Sequence, residues 1–185
     1  MLMNYPVKMY EYHAWANQAI FNRLLELPGD VYNRKITSIF PTVSEALTHI
    51  YTTDLGWMKI LSGMDMNAAL ADAYLLREKL ETILLEDLNL RFIELSEQFT
   101  AFLSQHPDLE QSIRLDNPYA GIRDTRFSEI VLHIVNHGTY RRGNITAMLR
   151  QLGSSSTMTD YAFFGTGVSR SRSSSEDSKN RRLLS

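Results

Sequence analysis

The chain has 185 residues, 44% of them apolar and 22% charged, and a net charge of -2. That length suits one domain with a core of its own, and the composition is that of an ordinary globular chain. The absence of cysteine excludes disulfide scaffolds, thiolate-held zinc, iron–sulfur clusters and a thiol nucleophile, and the balance of 19 basic against 21 acidic residues gives no general pull on nucleic acid. No apolar run approaches the ~18 residues of a membrane span. The opening MLMNYPVKMYEYH lacks the apolar stretch of a secretion signal. The expectation is a cytoplasmic protein with no membrane and no nucleic-acid partner.

Four segments carry helical periodicity. The first runs from about Tyr5 to Leu27 and stops at Pro28-Gly29. The second runs from about Thr42 to Ser62, with Gly63 just past its end. The third runs from about Thr82 to Gln105 and stops before Pro107, with Leu84, Leu88, Phe92, Leu95, Phe99 and Phe102 on one stripe. The fourth runs from about Ser128, a good N-cap, to Leu152, followed by Gly153. Residues 28–41 and 63–81 read as long crossovers. Residues 106–126, with Asn117-Pro118 and Gly121, read as a short hairpin or irregular loop. The fold class expected is all-α, a four-helix bundle with long crossover connections, over residues 1–165. Aromatic residues such as Tyr12, Trp15, Phe92, Phe99 and Phe102 are then core. The Ser/Arg-rich stretch 166–185 reads as a disordered tail. Its part from Ser169 onward holds five basic and two acidic residues, which leaves the remainder at -5.

The chemistry collects on the second and fourth helices. On a wheel of ~100° per residue, His133, His137 and Arg141 form an i, i+4, i+8 stripe that meets the apolar arc of the fourth helix. On the second helix His49 sits at the edge of the buried arc, Asp54 inside it, and Trp57 two turns beyond His49. Both helices thus bring histidine and a charged group towards the interior, where bundles build metal and ligand sites. His13 and His106 read as hydrogen-bonded structural residues. Arg141 and Asp54 could equally form a buried ion pair that fixes helix register.

Three stretches resemble the DinB family, also called DinB/YfiT-like. YEYHAWANQAIFNRLLELP is similar to its opening helix, with Trp15-Ala16-Asn17. SIFPTVSEALTHIYTTDLGWM is similar to its second helix, with His49, Asp54 and Trp57. LHIVNHGTYRRGNITAMLRQLG is similar to its last helix, where Asn136-His137-Gly138-Thr139-Tyr140 leads to Arg142-Gly143. The likeness covers residues 5–153. It implies a four-helix bundle, usually a homodimer, with a divalent metal, zinc or nickel, on three histidines. Some branches are metal-dependent transferases and isomerases that use low-molecular-weight thiols.

The family pattern reads His-x-x-x-His followed by Arg-Gly, which places its ligands at His49, His137 and position 141. Position 141 is Arg141. Arginine has no lone pair to donate and stays cationic. Two readings remain open. His49, His133 and His137 could form a trio shifted by one turn, ~6 Å along the helix. Alternatively the metal is gone, and Arg141 pairs with Asp54 or grips an anionic ligand bidentately. A guanidinium within ~5 Å of a divalent cation is repelled by several kcal/mol unless an anion lies between them, which favours the second.

The first reading makes the protein a thiol-dependent S-transferase or isomerase acting on a small molecule, with Tyr140 as a nearby proton donor. The second makes it a metal-free binding or interaction protein whose ligand pocket includes Asp54, Trp57, Tyr140 and Arg141. Arg142 reads as the partner of a local carboxylate and Gly143 as a close helix contact.

Overall fold

The computed structural model describes residues 4–80 and 82–166. The expected tail lies, from residue 167 onward, outside the described residues. Five helices and one hairpin make up the fold: α1 (Tyr5–Leu25), α2 (Val43–Leu61), α3 (Met66–Lys79), α4 (Leu85–Gln105), β1 (Ser112–Asn117), β2 (Gly121–Arg126) and α5 (Phe127–Gln151). Single 3-10 turns occur at Gly29–Tyr32 and Tyr161–Phe163.

The helix ends follow local chemistry. Thr42 caps α2 by accepting a hydrogen bond from the Glu45 amide at 3.1 Å through Oγ1, while Glu45 turns back towards the Thr42 hydroxyl at 3.4 Å. Gly63 and Gly153 leave α2 and α5 with φ of +95° and +78°, the left-handed geometry that glycine adopts without strain. Within the hairpin, the Asn117 side chain accepts from the amides of Tyr119 and Ala120, closing a turn that Gly121 completes at φ +76°. β1 and β2 pair antiparallel from Ser112↔Arg126 to Asn117↔Gly121.

The fold is mostly helical, and the hairpin takes up one of the two alternatives open for residues 106–126. The four-helix expectation needs a correction at α3, which lies within the stretch 63–81 that reads as a crossover. α3 buries only Met66 and Ala69 along its length, so it shows almost no apolar periodicity. Its signal is propensity instead, with alanines at 68, 69, 71 and 73 behind the N-cap Asp65, whose carboxylate accepts from Ala68 at 3.0 Å. The start of α5 also differs. The helix begins at Phe127, and Ser128 is buried in its first turn with its amide on the Leu109 carbonyl.

α1 packs on α4 and α5, and α2 packs on α3, α4 and α5. The core between them includes Ile20, Phe21, Leu47, Ile50, Phe99, Ile130, Ile134, Ile145 and Met148, each no more than 1% exposed. The segment after α5 straps back across α1. Arg23 donates to the Ser155 carbonyl and hydroxyl, Tyr12 donates to the Thr159 carbonyl, and Phe164 packs on Tyr12 and Trp15. Trp15 is therefore half-buried beneath the strap, not in the core between the helices.

A buried polar relay joins α1, α2 and α5. Arg142, 1% exposed, places Nη1 2.8 Å from Asn17 Oδ1 and 3.2 Å from His13 Nδ1, and Nη2 2.9 Å from Thr139 Oγ1. An arginine only donates, so His13 accepts at Nδ1 and carries its proton on Nε2. That proton goes to Asp54 Oδ2 at 2.8 Å, and the Asn17 amide nitrogen lies 3.0 Å from the same Nε2. His13 thus links a buried cation to a buried anion. The Tyr10 phenol beside them is pushed well up by burial and by the Asp54 charge. This arrangement corrects the expected Arg141–Asp54 pair. It also corrects Arg142, whose partners are an amide, an imidazole and a hydroxyl.

Gly138 makes room for the relay. A Cβ there would meet His13 Cε1 at 2.3 Å and Arg142 Nη1 at 2.9 Å. Gly143, expected at a close helix contact, is exposed with nothing within 4 Å of a built Cβ. The two glycines of one helix should therefore respond oppositely to alanine. Gly138→Ala should cost about 3 kcal/mol in urea unfolding through overpacking, whereas Gly143→Ala should stabilise by up to ~1 kcal/mol through helix propensity.

Candidate functional site

α2 and α5 lie side by side with His49 and His137 at their contact. The two Nε2 atoms are 3.1 Å apart and the rings meet edge-on at a centroid distance of 5.0 Å. One helical turn beyond His137, the Arg141 Nε donates to His137 Nε2 at 3.2 Å. The guanidinium lies over the rings of Phe40 and Tyr140, with its carbon 5.4 and 5.1 Å from their centroids. Phe40 also packs against His49, at 5.3 Å between rings.

The protonation pattern follows from these contacts. Burial, Arg141 and Arg77 lower His49 to about 4. Burial lowers His137 to about 4 as well, with Asp54 opposing and His49 and Arg141 adding. Both imidazoles are therefore neutral at pH 7. Because Arg141 can only donate, His137 holds its one lone pair on Nε2 and its proton on Nδ1, and His49, presenting Nε2–H, shares that lone pair with Arg141. His137 Nδ1 is buried with no hydrogen-bond partner among the described residues, as is Asp54 Oδ1.

The other expected site residues are placed as follows. His133 stands one turn from His137 with rings stacked at 6.3 Å, and its ring edge lies against Trp57 at 5.1 Å. Tyr140 is 62% exposed and contributes its ring face to Arg141. Asp54 is buried in the relay with His13. His106 stacks on Phe102 at 4.0 Å, and its Nδ1 lies 2.8 Å from that residue's carbonyl. The structure thus brings together His49, His137 and Arg141, and it adds Phe40 and Arg77. Neither of the latter stands out in the sequence, since Phe40 lies in a crossover and Arg77 in the helix that has no periodicity.

Two histidine nitrogens 3.1 Å apart have the spacing of neighbouring ligands on one ion, given metal–nitrogen bonds of ~2.0–2.1 Å. The third group of the cluster cannot ligate. Arg141 instead directs an N–H at the lone pair that a metal would need. Among the described residues, no group of three His, Cys, Asp or Glu side chains converges to hold a metal. The residues present therefore do not fit a three-histidine metal centre.

Comparison with known proteins agrees with the residue pattern. The DinB family model matches residues 1–171. The chain is also 47% identical over 163 residues to Protein DinB of Bacillus subtilis (strain 168), an alignment that covers 88% of this chain and 95% of that protein.

The depressed histidines give a pH prediction. An imidazole whose folded value lies below its unfolded ~6.5 takes up a proton more readily on unfolding. In chelator-treated protein, stability should be flat above pH 7 and fall as pH drops from 6.5 towards 4. The loss should be about 1 kcal/mol for each of His49 and His137, given their partial exposure to solvent. Urea melts across this range check the slope, and the variant His137→Gln should lose part of it.

Proposed function

The chain belongs to the DinB family, and we propose that within it this protein is a metal-free binder of small anions, with Arg141 in place of the third metal ligand. One observation carries the reading. The guanidinium is anchored by Nε to a histidine, while its Nη atoms make no hydrogen bond among the described residues. Such an arginine is pre-set for a carboxylate or phosphate, because its fork matches two oxygens and its charge strengthens both bonds. The neighbouring neutral His49 has an Nε2–H that an anion could accept in place of His137 Nε2. Phe40 and Tyr140 hold the guanidinium plane from its faces.

The second reading keeps the activity that the family resemblance implies, a divalent metal serving a thiol-dependent S-transfer or isomerisation on a small molecule. The 3.1 Å separation of His49 and His137 supports it. It requires the Arg141 side chain to swing away and a third ligand to come from elsewhere, with His133 as the nearest histidine.

One set of titrations on untagged protein separates the readings. Inorganic phosphate and acetate should bind the chelator-treated protein, and Arg141→Ala should weaken them by about tenfold or more. Zinc and nickel should not be retained by the parent, and Arg141→His should gain about one divalent ion per chain by elemental analysis. Retention of one metal by the parent, lost in His137→Ala, would remove the anion reading and restore the metal-dependent one.

A further inference from the structure

A second polar cleft lies between α2 and α3, about 240 Å³ in volume and lined by Ser44, Glu45, Thr48, Tyr74, Arg77 and Glu78. It contains neither Arg141 nor a histidine. Ser44 and Thr48 are each 2% exposed, and their hydroxyls form no hydrogen bond among the described residues. The Ser44 hydroxyl faces the Tyr32 phenol without reaching hydrogen-bond geometry. Buried hydroxyls are normally paired, because leaving one dry and unpaired costs the full desolvation of the group. Ser44 and Tyr32 can satisfy each other, which leaves the Thr48 hydroxyl in the wall of the cleft as the one that a hydrogen-bonding ligand would satisfy.

The charges around the cleft select the ligand. Arg77 makes no ion pair among the described residues, although its charge reaches His49. Glu45 and Glu78 line the same space, and Glu45 spends one carboxylate oxygen on the Thr42 hydroxyl. A purely anionic ligand would be pressed against two carboxylates, and a purely cationic one against the guanidinium. A molecule with both charges satisfies both walls. The volume falls below the ~300–1,000 Å³ of pockets for drug-sized ligands, which suits a small metabolite. The geometry points to a binding site for a small zwitterion of the α-amino acid class, its carboxylate on Arg77, its ammonium on Glu45 or Glu78, and a further polar atom on Thr48. This site is independent of the anion reading at Arg141.

The probes are the free proteinogenic L-amino acids at millimolar concentration, each set beside its decarboxylated amine and its 2-hydroxy acid. The full chain is followed by amide chemical shifts and by thermal melting. At least one amino acid should shift Thr48 and Arg77, and its single-charge analogues should produce those shifts about tenfold more weakly or not at all. Arg77→Gln should abolish the shifts, and Arg141→Ala should leave them unchanged. Thr48→Val keeps the side-chain shape, so it should leave Tm equal or raised while weakening the amino acid. A merely structural hydroxyl would lower Tm and leave binding alone. The absence of any amino-acid shift at Thr48 overturns the proposal, as does a Thr48 shift that survives Arg77→Gln or disappears in Arg141→Ala, which would place the ligand elsewhere.

Discussion

The Arg142–His13–Asp54 relay is the contact on which the rest of the structure depends. A buried guanidinium and a buried carboxylate would each cost several kcal/mol if left alone. Here one imidazole accepts from the first and donates to the second. Because the three residues sit on α5, α1 and α2, the relay can close in only one register of those helices. Gly138 sharpens the requirement, since only a residue without Cβ lets the imidazole lie against α5. Greasy side chains can slide by a turn at modest cost, but a relay that loses one partner leaves a bare charge in the core.

The register so fixed also positions the candidate site. Asp54 lies five residues after His49 on α2, and Arg142 five residues after His137 on α5. Locking the first member of each pair to His13 sets the rotation of both helices, and with it the meeting of His49 and His137 at 3.1 Å. Asp54 therefore acts on the site from behind, through helix placement and through a charge that opposes the lowering of His137. Further along, Trp57 packs against His133 in a T-shaped contact at 5.1 Å between ring centroids.

Much of this was legible in the sequence, and the exceptions have physical causes. α1, α2, α4 and α5 announce themselves because each presents an apolar stripe to the core, and Thr42, Gly63 and Gly153 mark ends by cap and turn chemistry. α3 is silent because a helix that lies mostly on the surface needs no stripe. The arginines of α5 exposed a different limit. A helical wheel with one buried arc puts Arg141 inside and Arg142 outside, yet α5 packs on α1 with one face and on α2 with another. Arg142 then turns to His13 on α1, and Arg141 to the site on α2. His13 looked like an ordinary core histidine because its importance lies in partners that are 41 and 129 residues away. At the site itself, the spacing of His49, His137 and Arg141 could be read from the three matching motifs, whereas Phe40 and Arg77 come from segments without periodicity.

The two neighbouring arginines also differ in how their charges are balanced. Arg142 is answered by Asp54 through His13. Arg141 is answered by no carboxylate among the described residues; it has two aromatic faces and a neutral imidazole, which soften a cation without cancelling it. Its charge helps hold both histidines in their neutral forms. Adding a divalent ion would bring +2 to a cluster that already carries +1 and would take the lone pair that Arg141 now engages. Adding an anion would bring the opposite charge and meet unused N–H donors. On the reading proposed above, an arginine at position 141 gives the cluster the charge to attract an anion where the family resemblance implies a metal ligand.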